Sequence, residues 1–244
     1  MAAALPHVEA FDEIDSTNAE ARRRAEAGER GPLWLTARIQ TAGRGRRGRN
    51  WETGSGNLAA TYLVQSAKPP AEAAQISFVA ALAVADLAAA YVPASLVSLK
   101  WPNDPLIAAR KAAGILVESG PHPGGGLWLA VGCGVNLATP PEAADRPATA
   151  FAEHMRAPPP KPLDALQVLA EAFERWRDLW ERLGFAPISE AWTARAHGLG
   201  QTCTARLPAE TIEGIAEGLD LDGALRLRTA SGAVRRITAG DVFF

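Results

Sequence analysis

Apolar and polar positions divide the chain into two regions of different periodicity. In the first, short apolar runs alternate with long helical patterns; beyond about residue 197 only short alternations remain, separated by turn formers. After a short start without clear pattern, Thr17-Asn18-Ala19-Glu20 has the form of a capping box. It opens an Ala/Arg/Glu-rich helix for which Gly28 is a terminator. Residues 33–39 and 57–64 predict strands entering and leaving a loop rich in glycine and arginine. Pro69-Pro70 punctuates, and 72–91 predicts an alanine-rich, mostly buried helix. Strands are predicted at 96–100, 111–118 and 127–132, the last two forming a hairpin across the glycines at 124–126. The proline-rich span 139–162 reads as a surface connection. Over 164–183 Leu166, Leu169, Ala170, Phe173, Trp176, Trp180 and Leu183 recur at helical spacing, so these aromatics belong to the core; a second helix covers about 188–196.

The remainder predicts strands at 202–207, 211–216, 224–228 and 234–238, separated by Leu207-Pro208, Asp222-Gly223 and Ser231-Gly232. Such an all-β unit, about forty-five residues long, is near the size where independent stability becomes marginal, so it is expected to dock on the larger part. The expected domains are 1–197 and 198–244.

Composition narrows the classes. A 48% hydrophobic and 21% charged chain is ordinary for a globular protein, and the net charge of −2 makes any basic cluster a local feature. A general nucleic-acid binder would carry a broader positive surplus. Cys133 and Cys203 have no metal-type spacing, and the four histidines are scattered. With no early apolar run and no segment read as spanning a bilayer, the cytoplasm and no membrane partner are expected.

The chemistry concentrates in residues 40–51, Q-T-A-G-R-G-R-R-G-R-N-W. Glycine allows close backbone approach to a ligand, and arginine supplies a permanent planar charge suited to carboxylate and phosphate. The alternative is a solvated basic loop. Gly43 to Gly48 satisfies G-x-G-x-x-G, but turn formers and a strand follow where a dinucleotide site needs a helix. No Gly-Lys-Ser/Thr follows either, which excludes a Walker loop. Three more clusters stand out. Lys100-Trp101-Pro102-Asn103-Asp104 reads either as a strand-ending turn with an extended tryptophan or as a site element. Lys111 stands at the mouth of an apolar strand, as a solvated edge charge or within reach of a ligand. Gly132-Cys133-Gly134-Val135-Asn136 allows close approach around a small residue, with Cys133 a core residue rather than a nucleophile. Ser16 and Thr17 cap a helix, and helix-start groups also bind polar or anionic ligands.

In order along the chain, Asp15-Ser16-Thr17-Asn18, the arginine loop, Lys100-Trp101-Pro102-Asn103-Asp104, Lys111-x-Ala-Gly114-Ile-Leu-Val-Glu118 and Gly132-x-Gly134-x-Asn136 resemble the biotin–protein ligase family. The resemblance is strong over 11–137 and weak beyond. It implies an α+β fold: a mixed β-sheet with flanking helices, related to class II aminoacyl-tRNA synthetases, plus a small C-terminal SH3-like β-barrel. It implies that biotin is activated with ATP and transferred to a biotin carboxyl carrier protein of a biotin-dependent carboxylase, with Mg2+ on the ATP phosphates and no protein metal site. Arg46, Lys111 and Arg49 would be catalytic. Ser16, Thr17, Asn18, Gln40, Gly43, Arg44, Gly45, Arg46, Lys111, Gly114, Gly132 and Gly134 would form the biotin side. Arg46, Arg49, Trp51, Lys100, Asn103, Lys111 and Asn136 would form the nucleotide side. Bifunctional members carry a DNA-binding module ahead of the catalytic domain, and only about fifteen residues precede Ser16, too few for one; no DNA partner is expected. An exposed sheet edge is compatible with a homodimer. The competing readings are a lipoate–protein ligase, separated by its choice of acid, and a non-catalytic RNA-binding module, separated by steep salt dependence.

Overall fold

The computed structural model of the chain describes residues 6–141 and 147–244. Its first half follows the order β1 (His7–Ile14), α1 (Thr17–Glu26), β2 (Leu33–Gln40), β3 (Leu58–Ser66), α2 (Pro70–Ala73), α3 (Ile76–Ala89), β4 (Val97–Lys100), β5 (Asp104–Ile107), β6 (Arg110–Lys111), β7 (Ala113–Pro121) and β8 (Leu127–Val135). Then come α4 (Pro162–Leu183), α5 (Ala186–Thr193) and five strands, β9 (Thr202–Arg206), β10 (Thr211–Leu219), β11 (Leu225–Arg228), β12 (Val234–Ile237) and β13 (Asp241–Phe243). The main sheet has the order β1-β2-β3-β8-β7, with β1 parallel to β2 and the remaining neighbours antiparallel. A three-stranded sheet β4-β5-β6 and an antiparallel C-terminal sheet β12-β11-β10-β9-β13 complete the α+β architecture.

Strand alternation assigns the two faces of the main sheet. Trp34, Tyr62, Val131 and Cys133 face α3 and α4 in the large core, where Trp34, Tyr62 and Phe173 meet as an aromatic triad. Leu33, Leu35, Leu63, Trp128 and Ala130 face the other way and are covered by Ala21 and Ala25 of α1. The large core continues without a break into the C-terminal strands through Cys203, Ala205, Leu225, Leu227 and Val242. Gly223 fixes the junction: a Cβ there would stand 2.8 Å from the Phe78 ring, and its carbonyl accepts the Trp101 indole N–H at 2.9 Å.

Several expectations are corrected. The segment ahead of α1 holds a strand, β1, whose side chains lie mostly at the surface and so give little apolar signal. The 72–91 helix divides at Ala74-Gln75, where the Gln75 carboxamide accepts from Trp180. By length and composition Pro70–Ala89 could cross a membrane, contrary to the sequence reading, yet 72% of that window is buried inside the fold. The strand expected over 111–118 is two strands, because Lys111 pairs with β5 and with Ala148 before the chain crosses to the main sheet at Ala112. The Trp101–Pro102 peptide is cis and the indole is buried. The 139–162 connection sends Phe151 into the core and lays residues 147–149 along Lys111; its residues 142–146 lie outside the described residues.

The β5–β6 turn places Ala108 and Ala109 at φ +49° and +60°, the left-handed region that disfavours a Cβ. Ala109→Gly is expected to stabilise the fold by about 1 kcal/mol, raising the midpoint by roughly 2–4 °C. Thermal unfolding checks this; an unchanged or lower midpoint contradicts the strain.

Candidate active site

Beyond the end of α1 the inner face of the sheet carries unusually small side chains. One ladder row reads Ala37, Ala59, Gly134, Gly114 across β2, β3, β8 and β7, and the next reads Leu35, Thr61, Gly132, Leu116. With so little side-chain volume this part of the face cannot fill itself, and a cavity of about 330 Å³ opens over it. The indole of Trp51 lies against the first row: a Cβ on Gly134 would sit 2.3 Å from it and one on Gly114 2.6 Å. Gly132 makes room for the Asn18 carboxamide, 2.2 Å from where its Cβ would be.

The N-terminus of α1 forms one wall. Ser16, rather than Thr17, is the cap, accepting the Ala19 N–H at 3.4 Å. Glu20 does not close a capping box; it pairs with Arg23 and Arg24. Thr17 and Asn18 are thereby released to face the sheet, where both are buried. Gln40 Oε1 accepts the Thr17 N–H at 2.9 Å, and the Thr61 hydroxyl is 2.7 Å from both the Thr17 hydroxyl and Asn18 Oδ1. Asn18 donates to Glu118 Oε2 at 2.8 Å, and Arg44 stands 3.2 Å from the other oxygen of that carboxylate. These polar groups satisfy one another, so their rotamers are set before a ligand arrives.

The arginine loop forms the roof. It folds back on itself through Trp51 N–H to the Gly43 carbonyl, 3.0 Å, and Gly45 N–H to the Arg49 carbonyl, 2.7 Å. Arg44, Arg46 and Arg49 line the cavity. Arg46 is partly buried, and burial pushes its pKa down from the ordinary guanidinium value. It donates to Asn103 Oδ1 at 3.4 Å and to the Gly240 carbonyl at 3.5 Å. Lys111 closes one end, its Nζ 2.6 Å from Asp104 Oδ1, while Lys100 stands 3.4 Å from the other oxygen. Among the described residues no group of three His, Cys, Asp or Glu side chains is placed to hold a metal. Cys133 lies in the floor strand with its side chain in the large core on the other face, where burial drives its thiol to about 12, well above the range of a nucleophile.

The biotin/lipoate A/B protein ligase family model matches residues 10–136, and that of the biotin protein ligase C-terminal domain matches 198–244. A biotin–[acetyl-CoA-carboxylase] ligase of Paracoccus denitrificans is 46% identical over 94% of this chain and 97% of its own length. This chain belongs to the biotin protein ligase family. The biotin protein ligase of Aquifex aeolicus, solved with biotin and ATP, shares the fold at TM-score 0.82 and 24% identity, over 97% of each chain. That of Leishmania major, solved with biotinyl-5-AMP, aligns at TM-score 0.67 and 27% identity, over 97% of this chain and 100% of that one.

Of the residues singled out from the sequence of this biotin protein ligase relative, Ser16, Thr17, Asn18, Gln40, Arg44, Gly45, Arg46, Arg49, Trp51, Lys111, Gly114, Gly132, Gly134 and Asn136 share the cavity lining. Three do not. Gly43 clasps the base of the loop, where a Cβ would meet the Trp51 carbonyl at 2.3 Å. Lys100 stands behind Asp104, and Asn103 faces a neighbouring recess that shares Arg46 with the main cavity. Trp51, Gly114 and Gly134, divided between two subsites in the sequence reading, are in contact. Sequence reasoning missed Thr61, Asp104, Glu118 and Asp241. A threonine amid small apolar residues was the available signal for the first, and Asp104 and Glu118 closed recognised motifs; nothing local marks Asp241.

Thr61→Val keeps the shape but leaves Asn18 Oδ1 without this donor. A loss of about 1–3 kcal/mol is expected, read by denaturant unfolding; unchanged stability would remove Thr61 from the network.

Proposed function

We propose that this protein is a biotin–protein ligase: it activates biotin with ATP to biotinyl-5′-AMP and transfers the biotinyl group to a lysine of a biotin carboxyl carrier protein or domain. The observation that carries the chemistry is a trough floored by glycine and alanine and roofed by a folded cationic loop, with a lysine at its end.

The carboxylate of biotin is ionised at neutral pH and needs no general base. Its oxygen attacks the α-phosphorus of ATP, the bond to the bridging oxygen breaks, and pyrophosphate leaves. The barrier is mutual repulsion of anions and charge building on phosphate oxygens, which positioned cations lower. Arg46, Arg49 and Lys111 are assigned that role. Arg46 is partly buried where Arg44, Arg47 and Arg49 are exposed, so its field is screened least by water. Asp104 holds the Lys111 ammonium at the cavity, and Lys100 supports it from behind.

On this reading Ser16, Thr17, Asn18, Gln40, Arg44 and Gly45, with Gly114, Gly132 and Gly134, form the vitamin side, and Gly43 closes the loop above them. Arg49, Trp51 and Asn136 serve the nucleotide directly, Lys100 and Asn103 through Asp104 and Arg46. Magnesium would arrive on the phosphate oxygens of the nucleotide, hard ligands of the kind it prefers. Exclusion of water by the loop protects the mixed anhydride until the acceptor amine attacks its acyl carbon and AMP departs. Residues 1–197 would carry these sites, beginning outside the described residues, and 198–244 would close them. A cytoplasmic location, no DNA or membrane partner and a homodimer across the sheet edge belong to the same proposal; gel shift and light scattering test them.

Arg46→Gly removes the bonds to Asn103 and Gly240 as well as a cation. Free biotinyl-adenylate is expected to leak from that variant and label bystander proteins. Retention equal to the parent's would refute the assignment of the loop. Lys111→Ala is expected to lower biotin-dependent pyrophosphate exchange by about 10²–10³-fold, with no exchange on lipoate in either protein. Unaltered exchange would remove Lys111 from the chemistry.

A further inference from the structure

Arg47 is the arginine of the loop that does not line the cavity, yet it makes the loop's shortest ion pair, Nη1 standing 2.6 Å from Asp241 Oδ2. Asp241 opens β13 in the C-terminal sheet and itself lines the cavity, its side chain only 16% exposed. Its other oxygen is 3.5 Å from Arg49 Nη2, and the carbonyl of the preceding Gly240 accepts from Arg46 at 3.5 Å. One turn of the C-terminal unit therefore receives three of the four loop arginines.

Four cations within six residues repel one another, and a loop so charged folds in the absence of an anionic ligand only against a counter-charge. Asp241 supplies it. Arg47 also sits at φ +58°, a left-handed conformation unfavourable for a residue with a Cβ, so its ion pair holds the backbone where it would not rest by itself. The two pairs are unequal. Arg47 is short-bonded and turned away from the cavity, whereas Arg49 is longer-bonded and faces it. We propose that Asp241 is a positioning residue: it anchors the arginine loop through Arg47 before and during turnover, and lends Arg49 to the phosphates of the nucleotide. Transfer of Arg49 brings a cation to the α-phosphate while Arg47 keeps the nearby carboxylate neutralised. The inference rests on reading the loop as the cover of the adenylate.

The test uses the full chain as Asp241→Asn, Asp241→Glu, Arg47→Gln and the double variant Arg47→Gln/Asp241→Asn. Trypsin cuts after arginine, so cleavage after Arg49, mapped by mass spectrometry without ligands, reports loop opening. It is expected to rise about two- to fivefold in Asp241→Asn, the shift a partly exposed ion pair supplies, and to return toward the parent rate in Asp241→Glu. Release of biotinyl-adenylate is expected to quicken by a similar factor in Asp241→Asn and in Arg47→Gln, and no further in the double variant. Parent-like cleavage and release in Asp241→Asn would overturn the proposal, as would additive effects of the two substitutions. Should Asp241→Asn fail to fold, Arg47→Gln decides by adenylate release and by cleavage after Arg49. A parent that forms no adenylate overturns the assigned function instead, and the protease arm still decides the anchor.

Discussion

Alanine and glycine in one ladder row of the main sheet are the constraint on which the site depends. A helix laid on a sheet needs side chains to interdigitate with, and α1 finds them at Leu33, Leu35, Leu63, Trp128 and Ala130, with Phe11 packed beside them. Past that patch Ala37, Ala59, Gly134 and Gly114 offer nothing to grip, so helix and sheet part and leave a trough. The N-terminus of α1 ends at the trough's edge with Thr17 and Asn18 buried against it. The arginine loop fills the roof because its tryptophan needs two glycines beneath it. Floor, wall and roof thus follow from side-chain size.

Charge is arranged on top of this shape. Arginines enter from above, Lys111 from the end, and each cation that can reach a ligand is already held by a carboxylate or carbonyl of the protein: Arg44 by Glu118, Arg46 by Gly240, Arg49 by Asp241 and Lys111 by Asp104. On the proposed function an anionic substrate would exchange one set of partners for another without having to order free side chains, which reduces the entropy lost on binding. The C-terminal sheet takes part because the large core runs on into it and the Trp101–Gly223 bond pins its β10–β11 turn.

Much of this was legible in the sequence where the signal is local. The arginine loop, the strands beside it and the α4 helix announce themselves by composition and period, and the spacing Gly132-x-Gly134 marks close approach without saying of what. What approaches is the chain itself, Asn18 and Trp51. The signals failed where tertiary contacts override local pattern. Thr17 looks like a cap, but the cap is Ser16, one residue earlier. Lys111 looks like the start of one strand, but the chain changes sheets there. Lys100-Trp101-Pro102-Asn103-Asp104 is the strand-ending turn it looks like, but its distant contacts have no local mark: Trp101 bonds a glycine 122 residues away and Asp104 holds two lysines. Asp241 had no local mark at all, because its meaning lies in arginines nearly two hundred positions earlier.

The central claim is that the loop keeps a reactive anhydride dry inside a trough made by small residues. The most direct measurement is the hydrolysis half-life of biotinyl-adenylate held on the protein, with no acceptor present, against its half-life free in the same buffer. The account predicts a half-life many times longer on the protein; equal half-lives would contradict it.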